Sequence, residues 1–377
     1  MLSGEGPKSN IDVKKMNRRK VLELLLNNEA ISNREIASRL GLTFPTIVQF
    51  IKDFQSRKIV VETGVFESTG GRRAKSYAPN LDTWFAVGVD ITRNHLTVAI
   101  VDIAGNNRGT KRILSAYQRT DQYFEAIGTL IDETIEEYAP ADREIIGVGI
   151  SVPGIVSEEN DMLIRSHILD ENNLKLETVA KYIKYPCALI NDANAGGYAE
   201  FRSSTSSRNA IYFSLSNSVG GSIYIGGKTV YGDRMRAGEI GHMTIVPGGR
   251  QCYCGKQGCL DAYCAAHLLH EKLGLRLSEF FEELKKGNQQ CRDVWQEYLE
   301  YLAIAVCNIR VIFDCDIILG GYVGAYLEEY LDELRKLVDE RNTFEKNGDY
   351  VKVCTHKHNA AAIGAALPYV EQFLQNS

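Results

Sequence analysis

The chain has 377 residues, 44% of them hydrophobic and 24% charged, with a net charge of −5. That length exceeds one ordinary core and suits two or three domains, and the composition is that of a globular protein rather than a disordered one. The opening MLSGEGPKSN lacks the apolar segment of a signal peptide, and no stretch reaches the roughly 18 apolar residues of a membrane span, so a cytoplasmic protein with no membrane partner is expected.

The charge is uneven. Residues 1–80 hold 14 Lys and Arg against 8 Asp and Glu, a small basic head before an acidic body, which points to a polyanionic partner for the head alone. Within that head, NRRKVLELLL sets Val21, Leu22, Leu25 and Leu26 at helical spacing. ISNREIASRLG predicts a second helix, with Ser32 as N-cap, Glu35 completing a capping box and Gly41 as the stop. LTFPTIVQFIKDF predicts a third, capped by Thr43, with Pro45 in its first turn and Ile47, Phe50, Ile51 and Phe54 on one face. Two helices across a short Gly-containing turn make a helix-turn-helix. The third helix leaves Thr43, Thr46, Gln49 and Lys52 off its apolar face, where they can reach base edges in a major groove, and Ser32 and Arg34 open the helix before it. IVVETGVFESTGGRRAKSYAPN reads as two strands around a Gly-rich turn, a wing whose Arg72, Arg73 and Lys75 would meet phosphates. Residues 1–80 are thus expected to form an α+β winged helix-turn-helix domain that binds operator DNA, with residues 81–84 as a linker after Pro79.

The body begins with FAVGVDITRNHLTVAIVDIAGN, a strand, tight turn and strand. A third strand is expected near KRILSAYQ, a helix over QYFEAIGTLIDETIEEYA and a buried strand over IIGVGISVPG. After a further helix, CALINDANAGGYAEF gives a strand ending at Asn191 and Asp192. NAIYFSLSNSVGGSIYIGGKTVYG then opens a second strand-turn-strand unit, so two lobes of similar plan with a cleft between them are expected. Downstream, QCYCGKQGCLDAYC packs four of the nine cysteines into fourteen positions, Cys252, Cys254 and Cys259 at C-x-C-x4-C spacing. In a reducing compartment such a cluster favours metal binding or catalysis over disulfides. QEYLEYLAIAVCNIRVIFD is apolar enough for core, interface or both.

The stretches SVPGIV, INDANAGGYAE, GEIGHMTI, the cysteine cluster, IILGGYVG and NAAAIGAAL resemble the ROK family, which contains bacterial sugar kinases and sugar-responsive repressors. With the head attached, the chain resembles the repressor branch. The resemblance implies an α/β, actin-like two-lobed ATPase (ribonuclease-H-like) fold: a first lobe over 85–189, joined by a C-terminal helix over 360–377, and a second lobe over 190–359. It also implies that His242, Cys252, Cys254 and Cys259 form a closed set of one imidazole and three thiolates, suited to one structural Zn2+. That ion would aim Glu239 and Asp261 at one small volume, where Asn191, Asp192, His242, His167 and Gly154 complete a sugar pocket. Carboxylates and an amide suit a polyhydroxyl ligand; helix N-capping is the other reading of Asp192.

In the kinase branch Asp192 would be the base. The phosphate-binding turns depart from the kinase pattern: Asp-x-Gly-Gly-Thr is replaced by Asp90-Ile91-Thr92-Arg93-Asn94, and a Gly-Thr-Gly-x-Gly-like turn by Ser216-Asn217-Ser218-Val219-Gly220. Side chains there would occupy the room that glycines leave for a triphosphate. A sensor that kept the sugar pocket and lost the ATP site is therefore expected, with no enzymatic activity; an active ATP-dependent sugar kinase is the alternative. Asp261 stands where the family has Glu, and His167 where it often has Asn. An unphosphorylated monosaccharide is the expected effector, since no basic cluster marks the pocket motifs, although Arg93 or Arg165 could meet a phosphate. The expected assembly is a homodimer or tetramer, because one head on one half-site rarely gives enough affinity.

Overall fold

A computed structural model of the chain describes residues 10–65, 74–203 and 208–377. In the head, helices Asn10–Leu26, Asn33–Leu40 and Phe44–Ser56 precede antiparallel strands Val60–Val65 and Lys75–Pro79, and Ile31–Ser32 adds a short third strand against Tyr77 and Ser76. The local signals act as chemistry requires. The Ser32 hydroxyl accepts the Glu35 N–H at 3.2 Å, Gly41 ends its helix at φ +63°, and Thr43 accepts the Thr46 N–H at 3.4 Å. The capping box is only half formed, because the Glu35 carboxylate pairs with Arg39 at 2.5 Å instead of returning to the cap. Leu22, Leu25, Ile36, Ile47, Phe50 and Phe54 are buried together.

The body repeats one plan twice. The first sheet runs Cys187–Asn191, Glu144–Val152, Trp84–Ile91, His95–Asp102, Asn107–Leu114, with the first three strands parallel and the last two antiparallel. The second runs Val351–Val353, Asp316–Gly320, Ala210–Leu215, Val219–Ile225, Lys228–Val230, with the same alternation. Residues 153–186 depart from the helix read in the sequence. They form a small antiparallel sheet of Ile155–Val156, Met162–Ser166 and Glu171–Lys175, followed by the five-residue helix Leu176–Ala180. Asn160 and Asp170 take left-handed conformations in its turns and Asn173 within its last strand, which short polar side chains tolerate.

Two helices lie between the sheets and fix the cleft floor. Asp192–Ser203 leaves the end of the first sheet, and Ala360–Asn376 packs against it and against strands Trp84–Ile91 and Glu144–Val152. Small residues make this approach possible: a Cβ on Gly88 would stand 1.7 Å from the Ala362 carbonyl oxygen, and one on Gly364 1.7 Å from that of Ala195. Beneath the second sheet, Gln289–Phe313 buries Trp295, Tyr298, Leu299, Leu302 and Val306. Its last turn leaves Val311 and Ile312 exposed at 66% and 67%, so this segment is core along most of its length and bare at its end.

The head is not loosely tethered. Trp84 already belongs to the first sheet, stacks near Phe373 at 4.8 Å between centroids, and donates its indole N–H to the Arg57 carbonyl at 3.0 Å. Asn80 Nδ2 donates to the Lys58 carbonyl at 3.0 Å and to Thr83 Oγ1 at 2.8 Å. Arg18 Nε and Arg57 Nη1 donate to the Ser377 carbonyl at 2.5 and 3.2 Å. The segment 81–84, expected as a linker, is thus bound at both ends, and Leu22, Leu25 and Tyr77 of the head share an apolar cluster with Ala86, Ile363 and Leu374 of the body. Among the described residues no helix is long and apolar enough to cross a membrane.

Candidate functional site

A cavity of about 420 Å³ lies between the lobes, within the range that holds small-molecule ligands. Its floor is the junction of strand Cys187–Asn191 and helix Asp192–Ser203. Asn191 Oδ1 accepts the Asn194 N–H at 2.9 Å and its Nδ2 donates to the Gly154 carbonyl at 2.8 Å. Asn191 is therefore the helix cap, and most of its hydrogen-bonding capacity is spent on the fold. Asp192 accepts the Ala193 N–H at 2.9 Å and keeps one carboxylate oxygen for the cavity that it lines. Burial, and then the neighbouring Asp90 carboxylate, push it up to about 7. Gly154 stands at φ +126°, and a Cβ there would lie 2.3 Å from the Arg165 carbonyl oxygen. Glu239 and His167 line the same space from opposite lobes, and burial raises the Glu239 carboxyl.

One expected residue lies elsewhere, and one unexpected residue joins the cavity. Asp261 does not line the cavity: it is buried, and its Oδ1 accepts the Val219 N–H at 2.6 Å, holding the second phosphate-type turn in place. As the shorter acid, it is engaged by backbone before it reaches the cleft. Asn194, which sequence reasoning passed over, lines the cavity with its Oδ1 buried and without a hydrogen-bond partner among the described residues. The signal was available, since NDAN places it one helical turn beyond Asn191.

Beside the cavity, donor atoms of His242, Cys252, Cys254 and Cys259 all lie within 4.8 Å of one another. Cys254 Sγ and Cys259 Sγ are 3.7 Å apart, and Cys252 Sγ is 3.8 Å from His242 Nδ1. A tetrahedral ion with metal–sulfur bonds of about 2.3 Å sets neighbouring sulfurs about 3.8 Å apart, so the donor set fits zinc. Only Nδ1 of His242 faces the thiols; Nε2 is 4.0 Å from Glu239 Oε2 and 3.4 Å from the Tyr253 hydroxyl.

A second, smaller cavity of about 60 Å³ adjoins the first through Asp192, Pro153, Ile168 and Ser218. Thr92, Arg93, Ser216 and Tyr322 line it. Thr92 Oγ1 donates to the His95 carbonyl at 3.1 Å, and Arg93 Nη1 reaches the Ile168 carbonyl at 2.9 Å. Ala360 and Ala361, the first residues of the last helix, form part of its wall.

On the head, Thr43, Gln49 and Lys52 are exposed along Phe44–Ser56, with Thr46 half-buried and its hydroxyl 2.8 Å from that of Thr43. Arg34 is exposed on the preceding helix, whereas Ser32 is occupied as its cap. Lys75 pairs with Glu62 across the wing at 2.7 Å; Arg72 and Arg73 lie outside the described residues. Phe44, the first residue of the third helix, is 53% exposed. Periodicity could not single it out, because an apolar residue beside a cap reads as a packing residue.

The profile of a winged helix-turn-helix DNA-binding domain matches residues 17–61, and that of the ROK family matches residues 86–371. The chain is 25% identical to the xylose repressor of Caldicellulosiruptor bescii and 26% identical to that of Bacillus subtilis, in each case over 96% of this chain and 97% of the relative. It is 27% identical to the transcriptional dual regulator NagC of Escherichia coli, over 72% of this chain and 68% of that protein. A solved ROK family transcriptional regulator, a homolog of the E. coli MLC protein, superposes with a TM-score of 0.77 at 21% identity over 97% of each chain. A ROK family glucokinase from Streptomyces griseus, in complex with glucose and AMPPNP, superposes with a TM-score of 0.64 at 24% identity over 75% of this chain and 98% of that one. The duplicated sheets are thus the actin-like body that regulators and kinases share, and with a profile match from its first strand to its last helix, the chain belongs to the ROK family.

Proposed function

We propose that the protein is a sugar-responsive transcriptional repressor: its head binds operator DNA, and a monosaccharide in the interlobe cavity releases it. The observation that carries this reading is the last helix, whose first residues line the smaller cavity that adjoins the interlobe one and whose far end seats the DNA-binding head. Thr43, Thr46, Gln49 and Lys52 would read base edges, and the exposed Phe44 ring would meet a thymine methyl. Two chains would span two half-sites one helical turn apart.

In the cavity, Asp192 and Glu239 would accept hydrogen bonds from sugar hydroxyls, and the unpartnered Asn194 Oδ1 would accept another. His242, Cys252, Cys254 and Cys259 would hold zinc with no open coordination position, and when bound the ion supplies rigidity to the cleft wall rather than chemistry. Asp261 would keep the Val219 turn in register with that wall. The effector would be unphosphorylated, with these acceptors meeting its hydroxyls beside Arg165 and Arg236, which also line the cavity.

The 60 Å³ left beside Asp192 is small against the roughly 300 Å³ of the least ligand pockets, which argues against a bound triphosphate. One feature favours a sugar kinase instead: Asp192, pushed up to about 7, is poised to take a proton at neutral pH. A monosaccharide panel separates the two readings. A sugar that raises the melting temperature without nucleotide, and weakens binding to an operator found by in vitro selection by about 5–150-fold, supports the repressor. ATP consumption dependent on that sugar supports the kinase.

A further inference from the structure

We propose that Tyr253 and His167 form an aromatic clasp across the cleft mouth, with the Tyr253 ring stacking on the apolar face of the bound sugar. This rests on the sugar reading of the cavity and adds how the ring of the ligand is recognised. Tyr253 lies between Cys252 and Cys254, two of the four clustered donors, so a metal at that cluster would pin its backbone on both sides. Its ring centroid is 5.3 Å from that of His242, at 72°, and its hydroxyl is 3.4 Å from His242 Nε2. These contacts hold one edge of the ring, yet the residue is 47% exposed and lines the cavity. His167 comes from the opposite lobe, just after strand Met162–Ser166, and its ring centroid is 5.2 Å from that of Tyr253, at 54°. The two rings therefore bridge the lobes over a cavity whose floor carries Asp192 and Asn194.

That division of labour suits a cyclic sugar. A pyranose presents hydroxyls around its rim and C–H groups on its faces. Acceptors at the floor satisfy the rim, and an aromatic face takes the C–H groups through dispersion and its quadrupole. An acyclic polyol offers the same hydroxyls without a flat apolar face. The clasp would thus select ring form, and a seated ring would draw the two lobes together through Tyr253 and His167.

The test is calorimetry with D-xylose, D-glucose, N-acetylglucosamine and xylitol on the full chain, with zinc measured on each preparation. For the sugar that the wild type binds, Tyr253→Ala is expected to weaken affinity about tenfold, with zinc retained and Tyr253→Phe within about threefold. Xylitol is expected to bind no tighter to the wild type than to Tyr253→Ala. Should Tyr253→Ala lose its zinc, His167→Ala, which removes none of the four donors, carries the test, and a loss of threefold or more supports the clasp. Unchanged affinity in a zinc-replete Tyr253→Ala, or in His167→Ala, overturns it; so does an equal loss in Tyr253→Phe, which would assign the effect to the hydroxyl. A wild type that binds no monosaccharide sinks the sugar reading itself, a result distinct from these.

Discussion

Asp192 and Asp90 both line the smaller cavity, and burial pushes them up to about 7 and about 6. Each carboxyl is raised above its ordinary 3.8, so the folded chain holds these protons more tightly than the unfolded one. Their contribution to stability is complete below the unfolded value and is lost as pH rises through the folded one. The melting temperature of the sugar-free protein should therefore fall between about pH 4 and 7, and Asp192→Asn should flatten that slope; an identical slope in the variant counts against it. The two neighbouring amides should separate in the same way. Asn191→Ala removes a helix cap and should cost about 1 kcal/mol of stability in a denaturant melt. Asn194→Ala should leave stability nearly unchanged and weaken sugar binding about 2–10-fold, one hydrogen bond's worth.

At the scale of elements, the last helix runs from the smaller cavity beside Asp192 to the head. Its Gly and Ala residues let it lie backbone-close on the first sheet and on Asp192–Ser203. Phe373, packed between Trp84 and Arg57, is where that helix meets the head. Phe373→Ala should leave the sugar affinity in place and reduce the sugar-induced release from operator, measured by fluorescence anisotropy with and without the effector. The cysteine loop over residues 243–260 is built from two isolated bridges and backbone turns, and a metal at its four donors would crosslink it. Chelation should lower the melting temperature and the sugar affinity together, and added zinc should restore both.

For the whole molecule, a basic head joined to an acidic body separates two kinds of recognition. Operator binding neutralises phosphates and releases counterions, whereas a neutral sugar in a closed cleft does neither. Raising salt from 50 to 200 mM should weaken operator binding steeply and leave the sugar dissociation constant within about twofold; parallel losses would mean a charged effector. The head rests on the body through an apolar cluster and the Arg18 and Arg57 contacts to Ser377, so a change in lobe closure can reach it without passing through a slack tether.

Much of this is local and can be read from the chain. Helix caps at Ser32 and Thr43, the stop at Gly41, the strand-turn-strand pair and the cysteine spacing each depend on residues a few positions apart, where side chains meet their own backbone. The sequence alone therefore determined the head, the paired strand-turn-strand units of the body and the close spacing of its cysteines. Only the tertiary structure decided which polar groups are free. Asp261 is consumed by the Val219 N–H, Asn191 by its helix cap, Glu35 by Arg39, and Asn194 Oδ1 is buried at the cavity wall without a partner among the described residues. It also decided that the segment after Pro79 is anchored and that the last helix runs from the smaller cavity to the head. Those outcomes are set by partners up to hundreds of positions away, and hydrogen-bonding capacity is a competition whose winner depends on who arrives within reach.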